Sequence, residues 1–205
     1  MNNKFYKMPR EKRDVIINAG FEVFSKNSYK KSPMQEIASS AGISKSLLFH
    51  YFDNKKEYYL FLYDYAVNYI FEKLNDAGVF HITDFFELYR VSLTEKCKIY
   101  RQYRYLNEFI IKAYFEEEEN LQEELQKRRS IMLSQNIKTI LSRIDTYKFR
   151  EGIDIELVIQ VSIWTADGFL REFIARDSLN IDILEDKFIR LIEFWRKSYY
   201  KEEYL

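Results

Sequence analysis

The chain has 205 residues, and its 32 Lys/Arg balance its 32 Asp/Glu, so a net charge of zero gives no hint of an acidic or basic partner. Its single cysteine excludes an internal disulfide framework and suits a reducing cytoplasm, and two histidines leave zinc sites and Cys–His catalysis short of residues. Five glycines, two prolines and the absence of long alternating runs predict an almost wholly helical protein.

The first sixty residues are more basic than the rest of the chain. They hold eleven Lys/Arg against six Asp/Glu, a balance of +5, which leaves −5 for residues 61–205. The first predicted helix, roughly residues 10–26, is amphipathic, with Gly20 at a position where another helix packs closely. A basic end on an acidic body is expected where one end meets phosphate. The start of the chain has no apolar core, so we expect no signal peptide.

Residues 32–57 predict a helix-turn-helix. Ser32 is a suitable N-cap, and Gln35 three residues later completes a capping box. Gly42 suits the left-handed turn that closes a helix. Ser44 caps a second short helix, about residues 45–51, which leaves polar side chains on its outer face. Two short helices joined by a glycine turn form the unit that reads the DNA major groove.

This segment and the residues before it carry a family resemblance. The matching positions are Phe21-Glu22-Val23-Phe24, Tyr29, Ser32, Ile37-Ala38, Ala41-Gly42-Ile43-Ser44-Lys45, Leu48-Phe49-His50-Tyr51-Phe52 and Lys55. With these, residues 9–60 resemble the DNA-binding domain of TetR-type transcriptional regulators. The chain departs from the family pattern at Ser28, where glycine is usual, at Ser46-Leu47 after the lysine, and at Phe49, where tyrosine is usual.

The resemblance and the helix positions together give a set of expected DNA-binding residues. Lys45 and Lys55 open helices, where a cation opposes the helix dipole, so we interpret both as phosphate contacts and not as ordinary surface lysines. Leu47 either touches a thymine methyl group or packs on Ile43. Tyr51 is either a core residue or a phosphate donor. The full predicted set is Ser32, Gln35, Ser44, Lys45, Ser46, Leu47, Phe49, His50, Tyr51 and Lys55.

The remaining sequence predicts a helical body. Asn54, Asp84 and Asp182 each stand three residues before a glutamate and so mark helix starts. The last two helices span roughly residues 154–176 and 182–200, and both carry apolar stripes. We expect an all-α protein of about nine helices, with a DNA-binding domain at residues 1–53 and a body at residues 54–205. The resemblance implies that the body binds a small-molecule effector and pairs with a second copy.

The predicted function is therefore a cytoplasmic, homodimeric, ligand-responsive regulator that binds a double-stranded DNA operator, and we expect a repressor and not an activator. We expect no catalytic residues, metal site, cofactor or membrane contact. The effector and its binding residues are unassigned, because Tyr89, Tyr100, Tyr103, Phe109, Tyr114 and Trp164 are as consistent with core packing as with a pocket. The alternative is a small-molecule-binding or interaction protein whose DNA-binding domain is degenerate.

Overall fold

The computed structural model describes residues 3–175 and 180–205, and within these ranges it has ten α-helices and no β-strand. The all-α prediction is confirmed. The helix beyond the expected nine is α1, four residues at the N-terminus. The helices are α1 Asn3–Tyr6, α2 Arg10–Lys26, α3 Met34–Ser40, α4 Lys45–Tyr51, α5 Lys55–Asp76, α6 Phe85–Gln102, α7 Arg104–Tyr114, α8 Glu119–Leu141, α9 Ile155–Ala175 and α10 Ile181–Tyr199.

Side-chain caps fix most of the predicted helix starts. The Asn54 carboxamide oxygen accepts from the Glu57 amide at 2.9 Å, and the Asp84 carboxylate accepts from the Glu87 amide at 3.0 Å. At α10 the predicted cap is wrong. Asn180, and not Asp182, accepts the free amides of the first turn, at 2.9 and 3.2 Å. The predicted end of α9 at residue 176 lies outside the described residues.

The chain divides into two compact units. Unit 1 comprises the residues up to Phe71 together with Gln102–Ser130, and unit 2 comprises Glu72–Arg101 and Ile131–Leu205. The two units are groups of residues that contact one another more than they contact the rest of the chain. The boundary at residue 53 between the DNA-binding domain and the body is a functional division, and it stays a prediction.

The core of unit 1 is built from aromatic rings. The Phe109 ring of α7 lies 5.2 Å from that of Phe21 and 4.8 Å from that of Tyr59. Phe109 is therefore a core residue. Helix α5 approaches α2 at Gly20, where an added Cβ would lie 2.3 Å from the Tyr58 hydroxyl oxygen. That hydroxyl donates to the Ile16 carbonyl at 2.6 Å. Gly20 is thus a close-packing position, as predicted.

Unit 2 has a core in which helix side chains meet the end of the chain. Its buried members are Phe85, Phe86, Ile144, Phe149, Val158, Ile159, Ile192, Trp195 and Tyr200. The Tyr200 hydroxyl accepts from the Phe85 amide at 3.1 Å and donates to the Asp84 carboxylate at 3.3 Å. The thiol of Cys97 is also fully buried in this unit. No helix of the described ranges has the length and apolar content needed to cross a membrane.

The apolar stripes of the last two helices are only partly buried. Leu184, Ile192 and Trp195 lie in the interior of unit 2. Trp164 is 60% exposed and Phe194 is 63% exposed. Unit 2 therefore presents apolar side chains to solvent on α9 and on α10; the exposed members are Leu157, Trp164, Ile183 and Phe194.

Candidate nucleic-acid interface

Helices α3 and α4 form the predicted helix-turn-helix. Gly42 adopts a left-handed conformation, with φ of 66°, directly after α3. Its amide donates to the Ser39 carbonyl at 3.1 Å, and the Ile43 amide donates back to the Ala38 carbonyl at 3.0 Å. These two bonds satisfy carbonyls that the end of α3 leaves open. Glycine is needed at this turn because a left-handed residue with a side chain costs about 1–2 kcal/mol.

The start and the inner face of α4 are firmly held. The Ser44 hydroxyl accepts from the Leu47 amide at 3.1 Å, which confirms Ser44 as the N-cap. Leu48 is fully buried, and so are Ile37 and Ala38 on α3. The two helices are thus anchored by apolar contacts on one side, while the other side of α4 faces solvent.

The solvent face of α4 carries four of the ten predicted DNA-binding residues. Lys45, Ser46 and His50 are exposed. Leu47 is 36% exposed, so part of its side chain remains accessible to a ligand such as DNA. The Lys45 ammonium lies 5.8 Å from the centre of the Phe49 ring, which is partly buried. No aspartate or glutamate occurs between Glu36 and Asp53. This face therefore has hydrogen-bond donors and one cation, and no carboxylate in that segment to repel phosphate.

Tyr51 occupies an intermediate position. It is partly buried, and its ring lies 5.8 Å from that of Phe5 and 5.6 Å from that of His50. The ring thus supports the end of α4 while part of the side chain stays accessible.

Lys55 lies at the first residue of α5, as predicted, but its ammonium is already engaged. It is 4.4 Å from the centre of the Tyr29 ring and donates to the Lys30 carbonyl at 3.4 Å. Partial burial lowers the pKa of Lys55, although Glu116 and Glu118 oppose this shift. A phosphate bound here would supply the strong anionic partner that a ring face and a carbonyl do not.

Ser32 and Gln35 do not form the predicted capping box. Ser32 is fully buried, and its hydroxyl donates to the Ser28 carbonyl at 3.0 Å. The Gln35 side chain is exposed and donates to the Ser39 hydroxyl at 3.3 Å. Helix α3 instead begins after Pro33, which provides no side-chain cap. Ser32 therefore braces the loop before α3, whereas Gln35 still faces solvent.

The sequence interpretation missed the contribution of α1. Phe5 is buried, with its ring 5.0 Å from that of Phe52 and 5.2 Å from that of Phe61. This anchor brings the Lys4 ammonium to 3.3 Å from the His50 imidazole. A four-residue helix has no detectable periodicity, so the only available signal was the mixture of aromatic and basic residues in Lys4-Phe5-Tyr6-Lys7.

Comparison with known proteins agrees with this geometry. Residues 16–60 match the family model for "Bacterial regulatory proteins, tetR family". A 60-residue segment is 40% identical to the HTH-type transcriptional activator FasR of Mycolicibacterium smegmatis, covering 29% of this chain and 27% of that protein. The aligned region thus spans about a quarter of that relative.

Two solved structures show the same fold over most of the chain. SmeT, the repressor of the Stenotrophomonas maltophilia multidrug efflux pump SmeDEF, superposes with a TM-score of 0.73 at 14% identity, covering 93% of this chain and 91% of that one. FadR from Bacillus subtilis, solved in complex with stearoyl-CoA, gives 0.70 at 19% identity, covering 87% and 96%. At these identities the two likenesses show the fold of the chain, and the family match is carried by residues 16–60.

Proposed function

Because the chain belongs to the TetR family through its residues 16–60, we propose that it is a regulator of transcription that binds a specific double-stranded DNA operator. The observation that carries the proposal is the solvent face of α4, with Lys45, Ser46, Leu47 and His50 exposed in a segment free of carboxylates. A helix with this surface fits the major groove, where donors reach base edges and phosphates and Leu47 reaches a thymine methyl group. Ser44, Phe49, Tyr51, Gln35 and Lys55 complete the proposed surface, and Ser32 supports it from the interior.

The decisive experiment measures DNA binding as a function of salt. Fluorescence anisotropy with DNA from around the protein's own gene should give an affinity that falls steeply as salt rises. Lys45→Ala should weaken binding to all sequences and reduce the salt slope by about 1 for each subunit. Lys112→Ala, an exposed lysine of α7, is the matched control and should leave both quantities unchanged.

A second substitution tests base recognition. Leu47→Ala removes the apolar contact and should reduce discrimination at one base pair by about 1–3 kcal/mol, with the salt slope unchanged. A DNA affinity that changes neither with salt concentration nor with DNA sequence would instead favour the alternative, a small-molecule-binding or interaction protein with a degenerate DNA-binding domain.

We propose further that the regulator is a homodimer. The exposed apolar residues Trp164 of α9 and Phe194 of α10 support this, because pairing with a second copy would remove them from water. A dimer also presents two copies of α4 to DNA half-sites about one helical turn apart. Useful specificity requires this second copy, because one short helix reads only one half-site.

The regulator is proposed to respond to a small molecule and to act in the cytoplasm as a repressor. The FadR structure with stearoyl-CoA makes long-chain acyl compounds the first effectors to test. SmeT is a repressor and FasR an activator, so an operator–reporter fusion measured with and without this protein decides the sign of regulation. Saturating effector that left operator affinity unchanged would contradict the ligand response.

A further inference from the structure

Helix α1 is fixed beside the C-terminal end of α4 by one buried side chain. The Phe5 ring is 1% exposed, and it lies 5.8 Å from the ring of Tyr51, the last residue of α4, and 5.0 Å from that of Phe52. A third ring, that of Phe61 in α5, lies 5.2 Å away. Burial of a whole phenylalanine ring outweighs what a helix of four residues gains from its own hydrogen bonds. The position of α1 next to α4 is therefore set by packing.

The segment that Phe5 anchors is basic. Residues 1–10 contain Lys4, Lys7 and Arg10 and no aspartate or glutamate. The Lys4 side chain is exposed, and its ammonium donates to the imidazole nitrogen Nε2 of His50 at 3.3 Å. An imidazole carries no negative charge, so this contact does not neutralise the ammonium. The anchor thus holds a cation next to the solvent face of α4.

The place of His50 in α4 indicates which part of a DNA duplex the cation would meet. His50 lies in the last turn of α4, whereas Lys45 and Ser46 open the helix. The N-terminal residues of a DNA-reading helix contact base edges. Its last turn is nearer to the edge of the groove, where the phosphates run. A lysine beside that turn is in a position to contact the backbone and not the bases.

From this arrangement we propose that α1 is a second DNA-contacting element of unit 1, in which Lys4 binds a backbone phosphate at the edge of the major groove that receives α4. A flexible point charge suits this partner, because a phosphate contact positions the protein on the duplex without reading sequence. The inference rests on the proposed DNA-binding function, and it adds a contact that lies outside the helix-turn-helix.

The ordinary interpretation of Lys4 is a solvated surface lysine, since most lysines are exposed. The anchor and the charge favour a phosphate partner over that interpretation. Because Phe5 holds the backbone of α1 in place, binding through Lys4 orders only one side chain and not a whole N-terminal segment. The absence of carboxylates from residues 1–10 also leaves that segment without a charge that repels phosphate.

Salt-dependent DNA binding by the full-length protein tests the contact. Each phosphate contact adds about 0.9 to the slope of log affinity against log salt concentration. Lys4→Ala should therefore reduce the slope by about 1 for each subunit, and weaken binding about fivefold for each lost contact in about 0.15 M salt. The loss should be the same for operator and for unrelated DNA. Lys4→Arg keeps the charge and should keep the slope, and Lys112→Ala on α7 is the matched control.

Ethylation interference locates the contact on the DNA. Ethylnitrosourea alkylates single backbone phosphates, and binding is lost where the protein contacts the modified phosphate. At least one phosphate in each half-site should interfere with the parent protein and with Lys112→Ala, but not with Lys4→Ala. A purely structural role of Lys4 would weaken binding without removing a particular phosphate from the pattern.

An unchanged salt slope and an unchanged ethylation pattern for Lys4→Ala, while Lys45→Ala reduces the slope, would overturn this inference and leave the proposed function in place. A loss of affinity confined to the operator sequence would also overturn it, because Lys4 would then act on bases. A parent protein whose DNA affinity does not change with salt would contradict the proposed function itself, and the α1 contact with it.

Discussion

At the scale of single residues, Gly20 shows how one missing side chain sets the distance between two helices. Its position on α2 leaves room for the Tyr58 hydroxyl and for Leu62, whose Cδ1 would lie 2.5 Å from an added Cβ. The propensity of alanine for a helix favours Gly20→Ala by about 1 kcal/mol. Overpacking a core costs about 1–3 kcal/mol, and here two buried neighbours must move, so overpacking outweighs propensity.

We therefore expect Gly20→Ala to destabilise unit 1 by about 1–2 kcal/mol in urea unfolding followed by circular dichroism. Tyr58→Phe alone should cost about 1 kcal/mol through the lost hydrogen bond to Ile16. In the double variant the hydroxyl clash is gone, so the combined loss should be smaller than the sum. Additive losses would show that the helices separate to admit the methyl group.

At the scale of structural elements, the end of the chain is tied to the start of α6 by a polar cluster. The Asp84 carboxylate accepts from Lys148 at 2.9 Å, and the Tyr200 hydroxyl joins both Asp84 and the Phe85 amide. Burial raises the pKa of Asp84, but the Glu87 amide and Lys148 outweigh this effect and hold the pKa below its usual value. The contribution of Asp84 to this cluster therefore depends on its carboxylate being ionised.

The lowered pKa fixes the direction of the pH dependence. The contribution of Asp84 is present above the unfolded-state pKa of about 3.9 and is lost as pH falls through the lower folded-state value. We expect Asp84→Asn to cost about 1 kcal/mol at pH 7 and to approach the parent protein below about pH 4. Tryptophan fluorescence is a suitable measurement, because both tryptophans lie in unit 2.

Tyr200→Phe is the companion variant, and it should cost a similar amount at pH 7. A stability difference between Asp84→Asn and the parent protein that is constant from pH 7 to pH 3 would contradict this account.

At the scale of the whole molecule, the sequence was sufficient to predict the helices and the helix-turn-helix. These follow from local periodicity and from caps such as Asn54, Asp84 and Ser44, all of which act within one turn. Ser32 failed as a cap because a carbonyl four residues earlier competes for its hydroxyl, and such competition is visible only in the folded loop.

The same limit applies to the dimer surface. Phe194 and Trp195 are adjacent in sequence, yet Phe194 is exposed and Trp195 is buried. Successive residues of a helix point about 100° apart, so an apolar stripe of ordinary width includes residues of the protomer core and residues that face outward. Periodicity alone cannot separate the two sets.

This distinction gives a prediction for assembly. Trp164→Glu combined with Phe194→Glu should yield a folded monomer in sedimentation velocity, with weaker operator binding, because two exposed apolar side chains are replaced by charges. Trp195→Glu should instead unfold unit 2, since it buries a charge in the core. Lys127→Glu, at an exposed position of α8, is the control, and its sedimentation and operator binding should equal those of the parent protein. A dimer that survives the double change would show that the subunits meet elsewhere.

The burial of Cys97 makes the rate of thiol alkylation a measure of local unfolding. Burial raises the pKa of this thiol to about 11, and the chain has no other cysteine. An alkylating reagent therefore reacts only when unit 2 opens, whereas opening of unit 1 goes unrecorded. We expect iodoacetamide labelling of the native protein to be slower than that of the urea-unfolded protein by several orders of magnitude. The alkylation rate therefore reports the stability of unit 2 alone.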